Sequence, residues 1–255
     1  EAREMWEIAL GMLVEESGEG DPVVTTVLVN IAVLLREQGK YKESQKKFER
    51  ALEIEMKKLG ENDPVVARNL NHIGDLLTLQ SKHKEAMKRY KRALKIQLEK
   101  LGEQHHETAT TFLRMGSVLK AQRKFERAEA TFQNCLAIRQ KILPPDHPDL
   151  AESYSALAVT FQCQQKVAEA IKMRKMSLAS ILKHRGEGHP SLVREYCSIG
   201  ALLRDRGRLD EAETMLDKAL EIGTAEHETC DVVMGGYTAS AYENIAMVYL
   251  EQGRL

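Results

Sequence analysis

Residues 39–66, GKYKESQKKFERALEIEMKKLGENDPVV, reveal the architecture because their features return along the chain at a fixed spacing. They hold a glycine turn, apolar residues three or four positions apart, and an Asp-Pro pair. The pair and its counterparts lie at multiples of 42 residues, as Asp21-Pro22, Asp63-Pro64, His147-Pro148 and His189-Pro190, with His105-His106 in the intervening position. Aspartate accepts hydrogen bonds from the free N–H groups that begin a helix, and proline suits the first helical position. Histidine caps less well, so capping alone explains its recurrence less readily.

Each of these helix starts is followed by an apolar stripe, and a second stripe follows a short turn. The first stripe contains a column of large residues: Ile31, Ile73, Met115, Leu157 and Ile199. The next position holds only small residues: Ala32, Gly74, Gly116, Ala158 and Gly200. The second stripe has leucine in every repeat: Leu52, Leu94, Leu136, Leu178 and Leu220. The spacing is helical and small residues let helices approach closely, so the sequence predicts an all-α array in which each repeat is a pair of helices, A and B.

We expect residues 1–255 to form a single repeat array. Its predicted parts are an orphan helix B at 1–17, five helix pairs at 21–60, 63–102, 105–144, 147–186 and 189–223, an insertion or bend at 224–236, and helix A of a sixth, truncated repeat at 237–255. The insertion is inferred because Asn244-Ile245-Ala246 matches Asn30-Ile31-Ala32 after a shift of 214 rather than 210 residues, and Gly235-Gly236 favours a flexible bend. Both ends would leave apolar surface uncovered, as expected of a segment cut from a longer protein.

The composition narrows the class of partner. The chain has 37 basic and 38 acidic residues, a formal net charge of −1, so we expect neither nucleic acid nor an anionic membrane as its partner. It has no apolar run of 18 residues, and we expect no membrane insertion. Cys135, Cys163, Cys197 and Cys230 are separated by 28, 34 and 33 residues, which matches no zinc or redox pair. We therefore expect reduced core cysteines and a cytoplasmic location.

Three segments carry a family resemblance. Gly39-Lys40-Tyr41-Lys42-Glu43, Arg50-Ala51-Leu52-Glu53-Ile54 and the run at 59–64 resemble the tetratricopeptide repeat, in its kinesin-light-chain-like subtype of 42 residues. The resemblance implies a right-handed superhelical solenoid of antiparallel helix pairs. It also implies a protein–protein interaction scaffold or adaptor that binds a linear peptide or a partner helix in its concave groove, with an acidic motif as in kinesin-light-chain cargo recognition. Such arrays serve many unrelated proteins, so fold alone does not fix the partner.

The resemblance also places groove-facing side chains on helix A. The candidate peptide-binding residues are Asn30, Arg36, Arg68, Asn71, Asp75, Arg114, Ser117, Lys120, Arg194 and Arg204. Asn71 is expected to pair both a backbone N–H and a backbone C=O of an extended peptide. The cations predict a ligand with acidic residues beside an apolar anchor. The competing interpretation is that they are solvated charges on a helix face.

The sequence offers no catalytic, cofactor or metal motif. Neighbouring His105 and His106 cannot both face one site from a helix, and no cysteine or carboxylate recurs nearby at ligand spacing. Gly186-Glu187-Gly188 lacks the lysine of a phosphate-binding loop. We therefore predict a protein that is not an enzyme. Two alternatives stay open: a regulatory or sensor array that controls a catalytic domain of the same full-length protein, and self-association through exposed terminal helices.

Overall fold

A computed structural model describes residues 2–225 and 232–254, and over these residues the chain is all-α, as the sequence predicts. The helices in the described residues are α1 (Ala2–Ser17), α2 (Pro22–Glu37), α3 (Tyr41–Leu59), α4 (Pro64–Leu79), α5 (His83–Lys100), α6 (His106–Ala121), α7 (Phe125–Ile142), α8 (Pro148–Cys163), α9 (Val167–Arg185), α10 (Ser191–Arg204), α11 (Leu209–Ala225) and α12 (Val232–Glu251). The even-numbered helices are the helices A of the repeats, and the odd-numbered helices are the helices B.

The chain divides into two compact units. The first unit, Glu1–Ile138, contains α1 to α6 and most of α7, and the second unit, Arg139–Leu255, contains the end of α7 and α8 to α12. Within the first unit α2 packs against α3, α4 against α5, and each pair against the next helix along the chain. Within the second unit α8 packs against α9, α10 against α11, and α11 against α12. Both units are therefore built from antiparallel helix pairs.

The helices A begin at capped residues. The Asp21 and Asp63 carboxylates accept hydrogen bonds from the backbone N–H groups of Val23 and Val65, at 2.7 and 2.8 Å. His105 and His147 use Nδ1 in the same way, accepting from the N–H two residues further on at 3.2 Å. His189 Nδ1 also accepts from the Ser191 N–H at 3.1 Å, but α10 begins after Pro190, one residue later in the repeat. The recurrence of histidine is thus explained by capping after all, because a neutral imidazole has one nitrogen free to accept.

The small-residue column allows a close approach of helix A to helix B within each repeat. A Cβ atom on Gly74 would lie 2.4 Å from the Tyr90 ring, and one on Gly116 would lie 2.6 Å from the Phe132 ring. Both rings are fully buried, so they have little room to move away. The alternation of small and large residues read from the sequence is therefore the packing rule of the core.

The last helix corrects one sequence prediction. We expected a bend ending at Gly235-Gly236 and a helix from 237, whereas α12 begins at Val232 and includes both glycines. Two glycines cost a helix about 1 kcal/mol each. The buried Ala241, Ile245 and Val248 side chains anchor the rest of α12, and their burial outweighs that cost. The remainder of the predicted insertion falls partly on 226–231, outside the described residues.

Candidate functional site

The first unit contains a pocket of about 380 Å³ formed by two helices A and the helix B between them. We call it the polar pocket, and its lining residues are Arg68, Asn71, His72, Gln97, His106, Glu107, Thr110 and Arg114. Helices α4 and α6 supply all of these residues except Gln97, which comes from α5. The pocket therefore lies on the helix-A side, with one side chain reaching it from helix B.

A chain of hydrogen bonds fixes the inner wall of the polar pocket. The Asn71 amide nitrogen Nδ2 donates to Thr111 Oγ1 at 2.7 Å, and the Thr111 hydroxyl donates to Gln97 Oε1, also at 2.7 Å. Asn71 is 4% exposed and Gln97 is fully buried. The remaining polar atoms of the two amides, Asn71 Oδ1 and Gln97 Nε2, have no hydrogen-bond partner. A buried polar group without a partner costs about 1–3 kcal/mol, so two in one pocket call for an explanation.

Two further side chains of the polar pocket carry an open polar atom, His72 at Nδ1 and Glu107 at Oε2. The His72 ring stacks on the Phe48 ring, with 5.6 Å between the ring centroids. Burial lowers the pKa of His72, and the nearby Asp75 carboxylate opposes the shift only partly. The imidazole is therefore neutral at pH 7. The polar pocket thus presents an amide donor, an amide acceptor, a neutral imidazole and a carboxylate oxygen.

The cations around the polar pocket are paired with carboxylates of the chain itself. Arg68 donates from Nε and Nη2 to Glu107 Oε1 at 3.1 and 2.9 Å. Arg114 Nε donates to both carboxylate oxygens of Asp75 at 2.9 and 3.1 Å, and the Tyr90 hydroxyl donates to Asp75 Oδ1 at 2.8 Å. Two cations are thus balanced by two carboxylates, and the polar pocket carries no excess of positive charge.

The second unit has a different arrangement at the same positions of the repeat. Ser155 and Glu195 stand where Asn71 and Thr111 stand two repeats earlier. Ser155 Oγ donates to Glu195 Oε1 at 2.8 Å, and Arg174 Nη1 donates to Glu195 Oε2 at 3.0 Å. Glu195 is fully buried, and both of its carboxylate oxygens accept hydrogen bonds. This site is an ion pair whose carboxylate oxygens are both occupied, although Arg174 Nε is buried without a partner.

The structure gathers only some of the predicted groove residues. Arg68, Asn71 and Arg114 line the polar pocket, and Asp75 lies beside it through its ion pair with Arg114. The others lie elsewhere: Asn30 and Arg36 on α2, Ser117 and Lys120 on α6 outside the lining, and Arg194 and Arg204 in the second unit. Arg194 donates to Glu195, and Arg204 donates to Asn244 and Asp205.

The predicted double pairing of Asn71 with a peptide backbone does not fit its surroundings. Its Nδ2 already donates to Thr111, so only Oδ1 remains for a ligand. Sequence reasoning also missed His72 and Glu107, which lie on helices A outside the expected groove-facing positions, and Gln97, because groove residues were expected on helix A alone. The sequence does, however, contain a pattern that indicates a buried polar role for Gln97.

That pattern is a polar pair spaced 14 residues apart, from helix B of one repeat to helix A of the next. It joins Glu55 to Asn69, Gln97 to Thr111 and Arg139 to Ser153, at 3.2, 2.7 and 2.9 Å. Polar residues at both positions of one repeat boundary thus predict a buried hydrogen bond between repeats.

A second pocket, of about 420 Å³, lies in the second unit between the end of α9, α10 and α11. Its walls include the Leu182 and Ile222 side chains, and Lys218 Nζ lies 5.9 Å from the Tyr196 ring centroid. Among its described lining residues, none holds a buried polar atom without a partner. The polar pocket of the first unit is therefore the better candidate for a binding site.

The described residues contain no group of three or more His, Cys, Asp or Glu side chains placed to hold a metal ion. Over the same stretch of chain, no helix is both long enough and apolar enough to cross a bilayer. The chemistry available at the polar pocket is hydrogen bonding and ion pairing.

Helix pairs in series, with a polar pocket on the helix-A side, define an all-α repeat protein. Sequence models of the tetratricopeptide repeat match residues 23–99, 107–183 and 196–227. The chain belongs to the tetratricopeptide repeat family. Comparison with curated proteins gives no significant match.

Solved structures share the fold at low sequence identity. BtubC (BKLC) from P. vanneervenii is 22% identical with a TM-score of 0.78, over 90% of this chain and 91% of that one. A kinesin light chain protein of Podosopora anserina with nearly identical TPR-like repeats is 19% identical with a TM-score of 0.70, over 82% and 99% of the two chains. YrrB, a TPR protein with an unusual peptide-binding site, is 18% identical with a TM-score of 0.51, over 86% and 94%.

Proposed function

We propose that this chain is a protein-interaction scaffold that binds a linear peptide across the helix-A surface of the first unit. Membership of the tetratricopeptide repeat family supports a protein or peptide partner. The observation that carries the proposal is the polar pocket, where Asn71 Oδ1 and Gln97 Nε2 are buried without partners. A peptide that supplied partners for these two atoms would recover the free energy that their missing hydrogen bonds cost.

Only some of the predicted groove cations are available to contact acidic residues of a ligand. Arg68 and Arg114 already share carboxylates of the chain, so a ligand acid would have to compete with Glu107 and Asp75. Arg36 and Lys120 lie in the last turns of α2 and α6. In the described part of the chain neither makes an ion pair. We propose that acidic residues flanking the bound segment contact these two cations.

Peptide display tests the proposal. Peptides selected on the wild-type chain are measured by fluorescence anisotropy against Thr110→Trp, which places an indole at the mouth of the polar pocket. The matched control is Thr214→Trp, because each threonine hydroxyl donates to the carbonyl four residues earlier and Thr214 is an exposed residue of α11. We expect binding at least tenfold weaker for Thr110→Trp and unchanged for Thr214→Trp. Equal affinity for both variants, or no selected peptide, would overturn the proposal.

A second candidate function, self-association, is favoured by apolar surface on the two terminal helices. The exposed large apolar side chains there are Met5, Trp6, Ile8 and Met12 on α1, and Tyr242, Met247 and Leu250 on α12. In this fold each helix A packs against a helix B, so α12 of one copy offers a surface for α1 of another. Sedimentation should give a mass that rises with concentration and that falls to one chain in Met12→Lys/Leu250→Lys. A constant single-chain mass over a hundredfold range would exclude it.

A further inference from the structure

We infer that the polar pocket receives the primary carboxamide of a glutamine or asparagine side chain. This inference rests on the proposed function, because the carboxamide belongs to the bound peptide. It adds the chemical class of the anchoring residue, which neither the fold nor the family specifies. The anchor is neutral, in contrast to the acidic residues expected to flank it.

Three of the four open atoms of the polar pocket match a carboxamide in kind, and the fourth is His72 Nδ1. A carboxamide has one oxygen that accepts and an NH₂ group that donates two hydrogen bonds. Gln97 Nε2 is the open donor for that oxygen, whereas Asn71 Oδ1 and Glu107 Oε2 are open acceptors for the two N–H groups. The pocket and the ligand group are therefore complementary, and every open amide atom gains a partner.

A charged anchor fits less well. A carboxylate has no N–H to offer Asn71 Oδ1 and Glu107 Oε2, and like charge would repel it from Glu107. Arg68 and Arg114 are held by their own carboxylates and lie at the rim. An ammonium group has no acceptor atom for the open Gln97 Nε2 donor, so that donor would stay unpaired. A neutral group that both donates and accepts avoids each of these costs.

The depth of the open atoms favours a side chain over a peptide main chain. Gln97 projects from α5, behind α4 and α6, and is fully buried, whereas the Arg68 side chain at the rim is 59% exposed. A main chain that lies across the helices A contacts the rim, and a side chain must extend from it to reach Gln97. The rim side chains move aside by rotamer changes, which are fast at exposed positions.

The equivalent position of the second unit cannot take the same group. Ile181 stands where Gln97 stands, and the Glu195 oxygens are bonded to Ser155 and Arg174. The carboxamide site is therefore proposed for the first unit alone, and the equivalent position of the second unit serves as an internal control.

Capped amino acids test the pocket without an identified partner. The side-chain NH₂ signals of Asn71 and Gln97 are followed in ¹⁵N–¹H spectra of the chain during titration with N-acetyl-glutamine methylamide, N-acetyl-glutamate methylamide and N-acetyl-alanine methylamide. We expect a saturable shift with the glutamine probe and at least fivefold weaker binding of the other two. An equal response to the alanine probe would assign the pocket to the main chain, and a stronger response to the glutamate probe would assign it to an acid. Either result overturns the inference.

Two variants tie the response to the open atoms. Gln97→Met removes the donor at nearly constant size, and Asn71→Ser replaces the amide and its Oδ1 by the shorter hydroxyl found at the equivalent position, Ser155. Each should abolish the preference for the glutamine probe, whereas Gln45→Met on α3 should keep it. If Gln97→Met does not fold, Asn71→Ser alone tests whether the open atoms cause the preference for the glutamine probe. A preference that survives in a folded Asn71→Ser chain would contradict the inference.

The failure of this inference and the failure of the proposed function can be told apart. Displayed peptides that bind the wild-type chain but not Thr110→Trp, and that lack glutamine and asparagine, would leave the proposed function standing and sink the carboxamide anchor. A chain that selects no peptide would remove the proposed function itself, whatever the capped probes do.

Discussion

The polar pocket of the first unit and the Ser155–Glu195–Arg174 cluster of the second occupy the same positions of the repeat, yet their chemistry differs. In the polar pocket the buried groups are neutral amides and a hydroxyl, and two of the amide atoms stay open. In the second-unit cluster the buried groups are charged, and both oxygens of the central carboxylate are occupied. The first arrangement can accept a ligand, whereas the second is committed to holding helices together.

We propose that one repeat position can serve binding or stability, depending on whether its buried acceptor atoms are paired within the chain. Glu195 must stay paired because an isolated buried charge is costly. A buried amide atom without a hydrogen bond costs less free energy than a buried unpaired charge, so the first unit can tolerate such atoms. Substitutions that exchange the two chemistries should therefore have opposite consequences in the two units.

The largest effect is expected from Glu195→Thr, which installs the residue found at the equivalent position, Thr111. Arg174 would then be left buried without its partner, and we expect the free energy of unfolding to fall by about 3–5 kcal/mol. Arg174→Tyr in the same chain, which restores the residue equivalent to Tyr90, should recover at least half of the loss. Urea unfolding measures both. If the free energy of unfolding of Glu195→Thr alone were within 1 kcal/mol of the wild-type value, the cluster would not stabilise the second unit.

A pH-dependent effect is expected from Glu55, which occupies the position of Gln97 one repeat earlier. Burial raises the pKa of Glu55 from 4.5 to about 7, against the lowering by its hydrogen bond from Asn69. The unfolded chain releases this proton near pH 4.5 and the folded chain near pH 7, so Glu55 lowers stability as pH rises between these values. Glu55→Gln should therefore be more stable than wild type by on the order of 3 kcal/mol at pH 8, and about equal to it at pH 4. Unfolding curves at the two pH values would contradict this if the difference were the same at both.

A smaller effect is expected from Gly74→Ala, which tests the close approach beneath the polar pocket. The new methyl group would meet the buried Tyr90 ring, and we expect a loss of about 1–3 kcal/mol in the free energy of unfolding. Gly11→Ala is the control, because Gly11 lies in α1 with no atom within 4 Å of the added carbon. That change should stabilise by about 0.5–1 kcal/mol. Thermal unfolding of both variants measures these changes in stability. If both variants gained or both lost stability, the packing rule would be refuted.

The smallest effect is expected for acidic flanking residues of a bound peptide. Arg36→Glu/Lys120→Glu should weaken binding of selected acidic peptides about tenfold, or about 1.4 kcal/mol, and less at high salt. The control Lys46→Glu/Lys88→Glu reverses two exposed cations on helices B. If both double variants lost the same affinity, the preference for acidic peptides would depend on the overall charge of the chain rather than on Arg36 and Lys120.

The fold could be predicted from the sequence because its main determinants are local and repeated. Asp63-Pro64 begins a helix and Gly74 marks close packing, and an Asp or His and a small residue take their places at 42-residue intervals. Gly235-Gly236 misled the prediction, because propensity alone favours a break and the burial of Ile245 and its neighbours favours a helix. Tertiary packing decided that case.

The site was only partly predictable, because it depends on contacts between repeats. Arg68 and Arg114 were read as free for a ligand, and each pairs with a carboxylate 39 residues away, on the next or the preceding helix A. Arg174 stands in the column of Phe48, Tyr90 and Phe132, and only its ion pair with a distant residue explains a charge there. Spacing along one helix does not reveal such partners.

The most direct test compares one peptide selected by display on three chains: wild type, Asn71→Ser and Ser155→Ala. If the polar pocket is the binding site and the second-unit cluster is structural, the dissociation constant should rise at least tenfold for Asn71→Ser and stay within twofold for Ser155→Ala. Wild-type affinity in a folded Asn71→Ser chain, or a tenfold loss in a folded Ser155→Ala chain, would contradict the account.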